Sequence, residues 1–144
     1  MTPLKKDQKE DIARRADFIR IQISDLAKFA AITWDDFVRD RDLQRNVERL
    51  AENVANASID IAKVLLVGED IEMPNSCREI ILRLADLEIL KRDLAGKISE
   101  YAALRNILER QYLDLRWEKI RDFLETAPSR VPEFLEAVVR RLED

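Results

Sequence analysis

The chain has 144 residues, a net charge of −4, 47% hydrophobic and 38% charged residues. That is enough sequence for one buried core, and with only 2 Gly and 4 Pro it has too few breakers for the frequent turns of a sheet protein. The apolar content argues against an extended disordered chain. The acidic balance argues against a surface coated in positive charge for nonspecific nucleic-acid binding, though not against a small local phosphate site. There is no histidine, which removes the commonest general base and the commonest metal ligand. The lone Cys77 has no internal disulfide partner and fits a reducing compartment. No run approaches the roughly 18 apolar residues of a membrane span, and the first residues lack a signal peptide's apolar stretch. The expectation is a cytoplasmic all-α protein, a single antiparallel bundle of four to six helices over residues 1–144.

In chain order, Ile12, Ala16, Ile19, Ile23, Leu26 and Ala30 alternate spacings of four and three, one helical stripe. Thr33-Trp34-Asp35-Asp36 reads as a restart, with Thr33 as N-cap and acidic residues in the first turn. Leu43, Val47, Leu50, Val54, Ala57, Ile61 and Leu65 repeat the rhythm. Two long N-terminal helices with matching stripes should pack as an antiparallel pair. Gly68 reads as the C′ residue of the second. Residues 68–75 read as a loop, and Ser76-Cys77-Arg78-Glu79 as a capping box. One helix is predicted through Leu90, Leu94, Ile98, Tyr101, Leu104 and Leu108, and another after Asp114. Pro128 and Pro132 should interrupt or kink that one, since an interior proline removes a donor and clashes one turn back. A last amphipathic helix then carries Val131, Phe134, Leu135, Val138, Val139 and Leu142.

Arg41, Arg45 and Arg49 stand four apart and could track a phosphate backbone. The interleaved Asp36, Asp40, Asp42, Glu48 and Glu52 make a solvated mixed-charge face or a subunit seam the better reading. Asp60, between Ile59 and Ile61, should pair with an arginine of a neighbouring helix. Cys77 reads as a small hydrophobe, and Trp34 and Trp117 as packing or interface anchors.

Arg105, Asn106, Arg110 and Tyr112 form a polar cluster on an otherwise apolar stretch. On an ideal helix Arg105 and Tyr112 fall within about 20° of one another, whereas Arg110 lies about 140° from Arg105. The groups converge only if the helix ends or distorts near Arg110, or if a partner chain completes the site. From periodicity alone, a polar functional pocket and an inter-subunit salt-bridge site both fit.

This stretch, Arg105-Asn106-Ile107-Leu108-Glu109-Arg110-Gln111-Tyr112, resembles the motif of HepT-like HEPN domains: Arg, four residues, His, one residue, Tyr. The second stripe around Leu43–Arg49, the Ala57–Ala62 run and the Pro74 loop extend the likeness over roughly Ile12 to Leu142. The resemblance implies a homodimeric, metal-independent ribonuclease toxin without cofactors, acting on RNA such as tRNA. It also implies a small MntA-type nucleotidyltransferase antitoxin that silences the toxin by transferring AMP to the motif tyrosine. By position, Arg105 would hold the scissile phosphate, Asn106 would orient the site, and Tyr112 would contact RNA and accept AMP. The family's histidine position is Arg110 here. Arginine stays protonated and offers no lone pair, so it binds phosphate but takes no proton. Two readings fit this departure: a toxin disabled at one position, or a non-catalytic dimer that binds nucleotide, RNA or a nucleotidyltransferase.

Overall fold

Three helix starts in this chain are set by short polar side chains, those of Thr33, Asp40 and Ser76. The computed structural model describes residues 2–109 and 112–143. Within them, α1 (Lys6–Leu26) runs into a 3₁₀ turn, Ala27–Phe29, followed by α2 (Trp34–Arg39) and α3 (Arg41–Gly68). Then come α4 (Cys77–Asp86), α5 (Arg92–Ala102), α6 (Leu104–Leu108) and α7 (Leu113–Leu142). Thr33 caps α2 as its sequence suggests. Thr33 Oγ1 accepts from the Asp36 amide at 3.2 Å, and the Asp36 carboxylate accepts from the Thr33 amide at 2.9 Å. Asp40 then separates α2 from α3, taking the amides of Asp42 and Leu43 on its carboxylate. Ser76 caps α4 by accepting from Glu79 N at 3.1 Å.

α1 and α3 form the predicted antiparallel pair. Arg15 reaches Asp60 at 2.9 Å and Asn53 donates to Gln22 at 3.0 Å, so partners run in opposite directions. Ile12, Ala16 and Ile19 of α1 and Val47, Val54, Ile61 and Leu65 of α3 are fully buried against each other and against α7. Asp60 therefore does have its arginine. Trp34 and Trp117 are packing residues: their rings lie 6.4 Å apart, and Phe37 lies 5.2 Å from Trp117, fastening α2 to the start of α7.

Three local expectations need correction. Gly68 is the last helical residue of α3, not its C′ residue. The left-handed position is Asp70, with φ 55°, and Ile71 N closes onto Leu66 O at 3.0 Å in a Schellman-type ending. A glycine suits position 68 because a Cβ there would come within 2.5 Å of Leu4 Cδ2. Secondly, Pro128 and Pro132 do not divide the C-terminal region. α7 runs through both as one helix, because Phe123, Ala127, Val131, Phe134 and Val138 keep a continuous buried stripe; packing outweighs two lost donors. Thirdly, the helix predicted from Leu90 to Leu108 is broken at Ala103, giving α5 and the short α6.

Candidate functional site

The break at Ala103 sets the site. Ala103 N is shared between the carbonyls of Ser99 and Glu100, which closes α5. The chain restarts as the five residues of α6. Leu104 and Leu108 of α6 are buried and anchor it, so Arg105 and Asn106 between them are exposed. Tyr112 is the extended N-cap of α7, with φ −80° and ψ 106°, and its carbonyl accepts from Arg116 N at 3.2 Å. Its side chain is 67% exposed. Arg105 thus stands on α6 and Tyr112 at the N-cap of α7, not on one face of one helix. Arg110 lies outside the described residues.

Two polar ties hold this junction from behind. Arg116, one turn into α7, binds Glu48 of α3 through two hydrogen bonds, the Nε–Oε2 bond at 2.7 Å. Glu48, read from sequence as part of a solvated row, is in fact buried; the row's Arg41, Arg45 and Arg49 are exposed. Lys97 of α5 holds both carboxylate oxygens of Asp122 of α7, at 3.0 and 2.9 Å, and Glu100 at 3.2 Å. Desolvation opposes the Lys97 charge, but the hydrogen bonds and Coulombic attraction of Asp122 and Glu100 prevail, and its pKa is raised. Tyr101, three residues before α6, shares a hydrogen bond of 2.5 Å with Thr126 Oγ1 and stacks edge-on against Phe123 at 5.1 Å. Burial pushes its phenol pKa up, against a smaller opposing effect from Thr126. Lys97 and Tyr101, four apart on α5, face Asp122 and Thr126, four apart on α7. That paired spacing was the available signal for the tie.

Arg105 and Asn106 on α6 and Tyr112 at the start of α7 present a guanidinium, an amide and a phenol to solvent. A guanidinium binds phosphate oxygens bidentately, the amide donates and accepts, and the phenol offers a nucleophilic oxygen. Among the described residues no group of three His, Cys, Asp or Glu is placed to hold a metal ion. No described helix is long and apolar enough to cross a membrane.

The helical arrangement is that of HEPN toxins. It superposes on a toxin–antitoxin MntA–HpeT mutant with a TM-score of 0.80 and 20% identity, covering 91% of this chain and 98% of that one. The tri-AMPylated Shewanella oneidensis HEPN toxin in complex with its MNT antitoxin gives a TM-score of 0.79 at 20% identity, covering 90% and 97%. At the level of sequence, residues 19–138 match the family described as Ribonuclease HepT-like. A tRNA nuclease HepT of Aphanizomenon flos-aquae (strain 2012/KM1/D3) is 30% identical over 104 residues, 72% of this chain and 71% of that protein. The chain belongs to the HepT-like ribonuclease family.

Proposed function

We propose that this chain is the toxin component of a HEPN/MNT-type toxin–antitoxin module, directed at RNA and specifically at tRNA, with its own cleavage chemistry impaired at Arg110. The observation that carries the reading is the exposed placement of Arg105, Asn106 and Tyr112 at the α6–α7 junction, in a chain 30% identical to a tRNA nuclease.

In this reading Arg105 holds the scissile phosphate and stabilises charge that develops on its oxygens. Asn106 orients the phosphate by hydrogen bonding. For cleavage, the ribose 2′-hydroxyl attacks phosphorus and must lose its proton while the 5′ oxygen leaves and gains one. A base with a pKa near the working pH performs the first transfer, and a guanidinium at position 110 cannot. Tyr112 receives AMP from a small nucleotidyltransferase, as the AMPylated neighbour suggests. The active unit is a homodimer whose two α6–α7 junctions face one cleft.

Arg110 itself favours the second reading, a non-catalytic dimer that binds RNA, nucleotide or the transferase. Comparing tRNA cleavage by this chain and by Arg110→His separates them. Restored cleavage, about 10²–10⁴-fold above the starting chain, supports the disabled toxin, and none at all supports the binding dimer. Incubation with an active transferase and ATP should add one or more AMP units at Tyr112, read by intact mass; the unmodified mass would overturn the antitoxin assignment.

A further inference from the structure

The flank of α6 opposite Arg105 and Asn106 borders a second charged feature. A cavity of about 90 Å³ opens there, with Leu104 and Ile107 of α6 on one wall. Arg78 from the first turn of α4 and Lys119 of α7 enter it from other elements, along with Glu100 and Asp122. The two carboxylates are both engaged by Lys97. Neither Arg78 nor Lys119 closes an ion pair among the described residues, whereas Arg116 and Arg130 nearby on α7 both do. Lys97, which does not line the cavity, engages both carboxylates, so Arg78 and Lys119 are left as the cavity's two cations without an ion-pair partner among the described residues.

Direction matters as much as charge. Lys119 lies seven residues beyond Tyr112, which returns it to within about 20° of the same side of α7. Leu115, 46% exposed, lies between them. An extended strand leaving the junction at Tyr112 can follow this side of α7, over Leu115, and reach the cavity two turns on.

We infer that Arg78 and Lys119 form a second backbone-phosphate subsite, taking a phosphodiester of the RNA strand on the far side of α6 from the scissile group. The inference rests on the RNA reading above and adds residues outside the motif. A guanidinium from one helix and an ammonium from another suit a phosphate, since each donates several hydrogen bonds to it. The two act in binding and register, not in the chemical step.

The test uses a fluorescent single-stranded RNA with 2′-O-methyl riboses, which cannot be cleaved by 2′-hydroxyl attack, and its affinity for the full chain across a salt series. Each lost single-strand phosphate contact lowers the slope of log K against log salt by about 0.7, so Arg78→Gln/Lys119→Gln, which gives up the one phosphate the two share, should lower it by about 0.7. Arg78→Lys should keep most of the slope. The same charge change at exposed Lys28 and Lys63 should leave it unchanged, and circular dichroism should show all variants folded. A double variant with the wild-type slope overturns the subsite while leaving the RNA reading intact. A wild-type chain that shows no salt-dependent RNA binding overturns the RNA reading itself.

Discussion

Arg116 and Glu48 are joined through one edge of the guanidinium, Nε and Nη2 each donating to a different carboxylate oxygen, with side chains only 17% and 10% exposed. The pair ties the entrance of α7, and with it Tyr112, to the N-terminal third of α3. Removing one partner strands a buried charge, at a cost of about 3 kcal/mol, whereas replacing both with apolar groups costs far less. Glu48→Gln and Arg116→Met should each lower the urea midpoint more than Glu48→Leu/Arg116→Met does. Singles that add up to the double would show that the pair is not coupled.

Arg105 makes no ion pair among the described residues and is exposed. Arg105→Ala should therefore leave stability within about 0.5 kcal/mol. In the Arg110→His background it should reduce tRNA cleavage by about 10²–10³-fold, the usual loss for a group that stabilises transition-state charge. Matched rates for the two proteins would remove Arg105 from the site.

Alkaline pH should act through Lys97 and Tyr101. Both folded-state pKa values are raised above ordinary values of 10.5 and 10.0. In each case the unfolded chain loses its proton first, so the native state holds more protons and stability falls as pH rises. The contribution is fully present below about pH 10 and is lost as pH climbs through the raised folded values. Urea unfolding at pH 8 and pH 10.5 should show a smaller alkaline loss in Tyr101→Phe and in Lys97→Met than in the parent chain. Equal losses in all three would show that neither group is responsible.

Pro128 leaves the Leu124 carbonyl without its helical donor in the body of α7. Pro128→Ala restores that bond on an exposed face and should raise stability by about 1 kcal/mol or more, visible as a higher melting temperature. A lower melting temperature would mean that the proline's stiffening of the unfolded chain outweighs the missing bond.

The parts legible in the sequence were those governed by one dominant force. Stripes at spacings of four and three located α1 and α3 and their antiparallel contact, because apolar burial decides both. The caps at Thr33 and Ser76 were legible because a hydroxyl at a helix start has few competing uses. The Ala103 break was not, since Tyr101, Leu104 and Leu108 continue the apolar period across it without any glycine or proline. Continuity through Pro128 and Pro132 was hidden for the opposite reason: a local rule was overridden by distant packing. Of the proposed site, residue type and spacing single out Arg105, Asn106 and Tyr112, and the structure shows all three exposed. Their supports, Glu48 with Arg116 and Lys97 with Asp122, are contacts between residues 68 and 25 positions apart, which no local pattern marks.

The uninterrupted course of α7 has a practical consequence. Thirty residues at about 1.5 Å each make a rod of roughly 45 Å, stapled near its beginning by Glu48 and near its finish by Glu69, which accepts from the nearly inaccessible Arg141 at 2.6 Å. Spin labels at exposed Glu118 and Arg140 would sit on that rod about 33 Å apart along its axis. Their separation would serve as a molecular ruler: any shortening on adding RNA or transferase would reveal flexing at the paired prolines, far from the tyrosine.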